Sequence, residues 1–167
     1  GGDPEHRGTG GPLEVEDYRT VLDLTHAFVE AGHQAGYPKS QDLNGSMPEG
    51  VGYSQMTRRG RSRGSTARTF LSRAQKRKNV KIKTEAIVTG LIFENNKCIG
   101  VKFNKDGSER TVLAGKEIIL SGGAVNSPHI LQISGIGSEE HLSSIGVKII
   151  HHLPGVGKNL QDHYVSR

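Results

Sequence analysis

The chain has almost no sulfur chemistry to offer: one cysteine, Cys98, in 167 residues. A single thiol excludes an intramolecular disulfide framework. Its setting, Asn96-Lys97-Cys98-Ile99-Gly100-Val101, is that of a strand, so Cys98 reads as a structural thiol rather than a nucleophile. No apolar run approaches the roughly 18 residues of a membrane-spanning helix, and no signal-peptide pattern is visible. The expectation is a soluble piece, cytoplasmic or peripheral to a membrane. An initiator methionine is lacking, and the sequence ends on Asp162-His163-Tyr164-Val165-Ser166-Arg167 soon after a Gly-rich turn. It therefore reads as an internal piece of a longer protein, with room for one domain or parts of two.

Acidic residues are missing altogether from residues 51–84, which carry eleven bases. Residues 1–50 hold nine acids and three bases, and residues 85–167 hold eight of each. The net charge of +5 therefore resides in this one run. Such a run meets nucleic acid, a small anionic ligand or cofactor, or only water. Its aromatics are just Tyr53 and Phe70, so a stacking platform for single strands is poorly supplied.

What is present is a mixed α and β pattern without internal repeats. After a Gly-rich start, Asp17 to Ala31 predicts a helix with Val21, Leu24, Phe28 and Ala31 on one stripe and Gly32 as its stop. His26 and His33 flank that face without a third ligand nearby, which favours packing or solvent over metal. Gly36 to Gly64 has glycine or proline every few residues and predicts a long irregular loop, of the kind that serves as a functional cover. Thr66 to Lys78 predicts a short helix, capped by Ser65 or Thr66, with Ala67, Phe70, Leu71 and Ala74 inward.

Beyond Asn79 the period changes to two. Asn95-Asn96 and Asp106-Gly107 are hairpin turns, so Ile87 to Phe93, Cys98 to Asn104 and Arg110 to Leu113 predict an antiparallel three-stranded meander. Glu117 to Leu120 resembles a buried parallel strand, and Val80 to Ile82 would be its neighbour, with the meander inserted between them.

Ser121 to Gly137, SGGAVNSPHILQISGIG, follows that strand. Gly122 and Gly123 let the backbone approach a ligand or another element, Ser127 is a ready N-cap, and Pro128 suits a first helical position. Strand, glycines and helix N-terminus in that order aim free N–H groups at whatever lies above, which suits an anion or merely folds a corner. The dinucleotide fingerprint G-x-G-x-x-G does not occur, and Pro154 to Asn159 fails as a P-loop. His151, His152 and His163 make no convincing metal site, since adjacent strand residues face opposite ways. No Ser/His/Asp arrangement has a local signature.

The same stretch resembles the second signature of the glucose-methanol-choline (GMC) oxidoreductases, flavin-dependent alcohol oxidases and dehydrogenases. His141-Leu142, Gly146-Val147 and Leu153-Pro-Gly-Val-Gly-Lys-Asn-Leu-Gln-Asp-His163 continue the likeness. Upstream, Asp42-Leu-Asn-Gly45, Glu49-Gly-Val-Gly-Tyr53, Gln55, and Arg63 through Ser65-Thr-Ala67 to Phe70-Leu71 resemble its choline-dehydrogenase-like branch. Essentially the whole chain is covered.

That resemblance implies an α/β fragment: part of a Rossmann-like FAD-binding domain carrying the β-meander, plus part of a substrate domain. It implies FAD, a small alcohol substrate oxidised by hydride transfer to the flavin, and an electron acceptor such as oxygen or a quinone. Val88, in Glu85-Ala-Ile-Val-Thr89, matches the family's contact with adenine, and Gly122 and Gly123 its approach to the ADP portion. No catalytic residue is assigned, because the family's histidine base lies outside this text; His163 belongs to the shared loop and takes a structural role. The implied domains are residues 1–64 for substrate and a loop over the flavin, 65–145 for the cofactor, and 146–167 for the return. The piece alone would neither hold FAD tightly nor turn over an alcohol. The alternatives left standing are a nucleic-acid module using residues 58–83 and a non-catalytic α/β fragment.

Overall fold

Alternation of apolar and acidic residues over Leu13-Glu14-Val15-Glu16 forms a strand that needs a basic partner, and the sequence supplies one far along the chain. In the computed structural model, which describes residues 5–164, strand β1 (Val15–Glu16) pairs antiparallel with β2 (Met56–Arg59), Val15 opposite Thr57. Strand β2 turns through Gly60 onto β3 (Ser62–Arg63). Arg59 Nε then lies 3.6 Å from Glu14 Oε1, and Arg58 Nε 4.0 Å from Glu16 Oε2. Part of the basic run is thus neutralised by the acid-rich N-terminal segment, as cross-strand charge pairing favours.

The chain falls into two compact units, with the boundary between Ile82 and Lys83. In the first, helix α1 (Asp23–Gln34) begins and ends later than the apolar pattern predicts. It runs through Gly32, where a Cβ would sit 2.6 Å from Val51 Cγ1, so this glycine serves close packing rather than termination. The stop is Gly36 at φ 96°: its N–H donates to the His33 carbonyl and the Tyr37 N–H to that of Gly32, a Schellman ending. The predicted stripe does not face a core: Leu24 and Phe28 are 80% and 74% exposed, and Val29 is the buried position.

Gly36 to Gly64 is a correction too. It holds β2, β3 and a parallel bridge between Lys39 and Val51, closed by Val51 N–H to the Pro38 carbonyl at 2.9 Å. Glycine and proline forbid long elements but permit ladders of two to four residues where a remote partner exists. The helix expected over Thr66 to Lys78 shortens to a π-turn (Ala67–Leu71) and α2 (Ser72–Ala74). Arg73, Lys76 and Arg77 stand three and four residues apart, where like charges repel along a helix. Thr69, fully buried and donating to the Ser65 carbonyl at 2.9 Å, is the inward residue; Phe70 and Leu71 face outward.

The second unit contains the meander as the turn chemistry requires: β4 (Ile87–Glu94), β5 (Lys97–Lys105) and β6 (Ser108–Leu113), all antiparallel. Both turns use two residues at positive φ: Asn95 and Asn96 at 47° and 65°, Asp106 and Gly107 at 55° and 75°. Cys98 lies on β5, half-buried, opposite Phe93. Helix α3 (Gly123–Ile133), β7 (Ile136–Gly137), α4 (Glu139–Ser144) and β8 (His151–His152) complete the unit. Strands β7 and β8 are parallel, with α4 as the crossover and its Leu142 turned inward at 0% exposure.

Two expectations fail here. Val80 to Ile82 and Glu117 to Leu120 form no ladder among the described residues, and Ile119 is 77% exposed. A parallel strand exists only beside a partner; among the described residues of this unit the parallel ladder is β7 with β8. Helix α3 also starts at Gly123 with Gly122 as N-cap, leaving Ser127 and Pro128 inside it. No helix among the described residues is long and apolar enough to cross a membrane.

Candidate cofactor site

The site begins with two glycines that do different work. Gly122 has φ −79° and is crowded: a Cβ there would stand 3.1 Å from Asn126 Cβ and 3.2 Å from Ser127 N. Its N–H donates to Ser127 Oγ at 2.9 Å, so Ser127 secures the turn from within the helix instead of capping it. Gly123 has φ 85°, a conformation that L side chains rarely adopt, and a Cβ there would meet nothing within 4 Å. The turn therefore needs Gly122 for closeness and Gly123 for backbone shape, and it leaves open space beside Gly123.

Beyond that turn the first N–H groups of α3 have no acceptor in the preceding turn of the helix. A cavity of about 560 Å³ runs along the helix from Ala124 to Gln132, lined also by Val125, His129, Lys158 and Leu160. The start of a helix, an open glycine and the Lys158 ammonium favour a negatively charged group.

Val88 is half-buried on β4, opposite Phe103. The ladder skips from Val88–Phe103 to Gly90–Lys102, so Thr89 is the extra residue of a bulge. Strand β4 is the sheet's edge, and α3 packs on it. The Leu91 N–H donates to Ser134 Oγ at 2.8 Å, and that hydroxyl donates to the Ile130 carbonyl at 2.6 Å. The far end of α3 is fastened to the final loop: Gln132 Nε2 donates to the Val156 carbonyl at 3.2 Å. Val88 and the glycine pair thus stand on two elements that are packed and bonded to one another. The sequence pattern singles out neither Ser134 nor Gln132, because both bonds join residues far apart in the chain.

Five of the eight histidines, those raised by the sequence pattern, have the following settings. His26 Nδ1 and Tyr53 OH are 2.7 Å apart, and His33 Nδ1 lies 3.2 Å from the Tyr37 carbonyl. His151 and His152 are neighbours on β8, and His152 Nδ1 accepts the Glu139 N–H at the start of α4. The exposed His163 donates its backbone N–H to the Asp162 carboxylate. Among the described residues no group of three or more potential metal ligands is assembled.

A bulged edge strand packed on a helix that opens with a shaped glycine turn is a mixed α/β arrangement, with open space at the head of the helix. The chain belongs to the GMC oxidoreductase family, whose model matches residues 5–165. It is 49% identical over 162 residues to the oxygen-dependent choline dehydrogenase of Staphylococcus saprophyticus, covering 96% of this chain and 29% of that protein. It is 44% identical over 162 residues to the mitochondrial choline dehydrogenase of Homo sapiens, covering 97% and 27%. Among solved structures, an FAD-dependent oxidoreductase from Chaetomium thermophilum superposes with TM-score 0.88 at 30% identity, over 96% of this chain and 28% of that one. The chain spans less than a third of the length of these relatives.

Proposed function

We propose that this chain is a cofactor-side segment of an FAD-dependent oxidoreductase that oxidises a small primary alcohol, of which choline is the first to test. The observation that supports the reading is the open glycine turn at the head of α3, in a chain of the GMC family that superposes on an FAD-dependent oxidoreductase. The residues present fit the group: Val88 would meet adenine through its backbone, and Gly122 and Gly123 would lie against the ADP portion. FAD, when bound, supplies the acceptor for the hydride leaving the alcohol carbon. This chain's own share is binding and orientation. The base that takes the hydroxyl proton belongs elsewhere in the enzyme, and the electron acceptor is oxygen, a quinone or another carrier.

Residues 1–64 contribute to the substrate side and cover the flavin, 65–145 to the cofactor side, and 146–167 return toward the substrate. The segment by itself binds FAD weakly and is inactive. The test is the full-length enzyme containing it: flavin absorbance in the purified protein, bleached by choline without oxygen, supports the reading. Absence of flavin together with salt-sensitive binding of DNA or RNA through residues 58–83 would refute it.

A further inference from the structure

The hydroxyl of Ser134 is fully used in a way that neither helix nor sheet formation requires. As a donor it satisfies the Ile130 carbonyl at the end of α3; as an acceptor it takes the Leu91 N–H, which points off the edge of the meander. One hydroxyl with one proton and spare lone pairs can do both at once. The bond falls on the stretch of β4 where the bulge at Thr89 has reset the ladder, next to Gly90, where a Cβ would stand 3.8 Å from Ser134 Oγ. The half-buried serine therefore fastens the edge strand that bears Val88 to the helix whose other end bears Gly122 and Gly123.

We propose that Ser134 is a positioning residue for the ADP half of the cofactor, an assignment that rests on the functional reading above. It touches no cofactor atom. By fixing β4 on α3 it holds the adenine contact in register with the glycine turn, so that one rigid ligand portion meets both. Without the hydroxyl, the Leu91 N–H loses its acceptor and the strand edge is free to shift along the helix, while the meander's own ladders stay intact.

The experiment uses the full-length enzyme containing this segment, as wild type, Ser134→Ala and Ser134→Thr, each stripped of flavin. FAD is titrated back, and ADP is titrated as a competitor. The expected result for Ser134→Ala is a loss of FAD affinity of about tenfold, the lower end of the effect of removing hydrogen-bond partners behind metal ligands. ADP affinity falls by the same factor, and Ser134→Thr, which keeps the hydroxyl, restores binding of both. Unchanged FAD affinity in Ser134→Ala overturns the proposal. So does an affinity loss that Ser134→Thr fails to repair while restoring the unfolding midpoint, because the serine would then be structural only. A wild-type enzyme that takes up no FAD overturns the cofactor reading itself, and this assignment with it.

Discussion

Substituting Gly123 by alanine separates two effects that the turn combines. At φ 85° a Cβ strains the backbone in both the free and the bound protein, at about 1 to 2 kcal/mol for a left-handed residue. That cost alone leaves FAD affinity unchanged. Open space beside Gly123 means that the methyl meets no protein atom within 4 Å, so it projects where the ADP portion would lie. Overpacking of one methyl against a close-fitting ligand costs about 1 to 3 kcal/mol, or about 5- to 150-fold in affinity. Gly107 provides the control: φ is 75°, nothing lies within 4 Å, and it sits in the β5–β6 turn. In the full-length enzyme, Gly107→Ala and Gly123→Ala should lower the urea midpoint by similar amounts, while only Gly123→Ala weakens FAD, read by flavin titration. Equal FAD affinity in the two variants would refute the placement of the cofactor against Gly123.

Elsewhere the expected effects are on stability. Arg7 forks onto Asp42, with Nη2 at 2.6 Å from Oδ1 and side chains 21% and 8% exposed; Arg7→Met should cost about 2 to 4 kcal/mol in urea unfolding, because the part-buried carboxylate loses a two-pronged charged partner. Leu142→Ala, at 0% exposure within the β7–α4–β8 crossover, should cost about 2 to 5 kcal/mol, read from the same midpoint. Glu30, on the exposed side of α1, is held below the ordinary carboxylate range by the Lys39 ammonium 2.7 Å away. A lowered carboxyl pKa stabilises the fold above its unfolded value and fades as pH falls through the folded one. Carboxyl NMR should show Glu30 titrating upward toward the usual range in Lys39→Met, and an unmoved midpoint would dismiss the pair.

The meander was legible because its information is local. Asn95-Asn96 and Asp106-Gly107 specify two-residue turns with positive φ, and period-two alternation sets the strands on either side, so no distant contact is needed. The helix stripes misled for the opposite reason. Periodicity placed Leu24 and Phe28 on one face of α1, but a face is buried only if something covers it, and here Val29 is the covered residue. The start of α3 was misplaced because Ser127 is as good an acceptor inside the first turns as at the cap, and only the Gly122 N–H shows which role it takes.

By itself, then, the amino-acid sequence determined the mixed α/β class, the three-stranded meander, the glycine turn and, through the Ser121 to Gly137 text, the family. Tertiary structure alone decided which faces are buried, the pairing of acid-rich β1 with basic β2, the parallel β7–β8 ladder, and the Ser134 bridge between β4 and α3. The physical division is between turn and cap preferences, which act within a few residues, and ladders or buried contacts. The latter exist only when chain closure brings remote groups together.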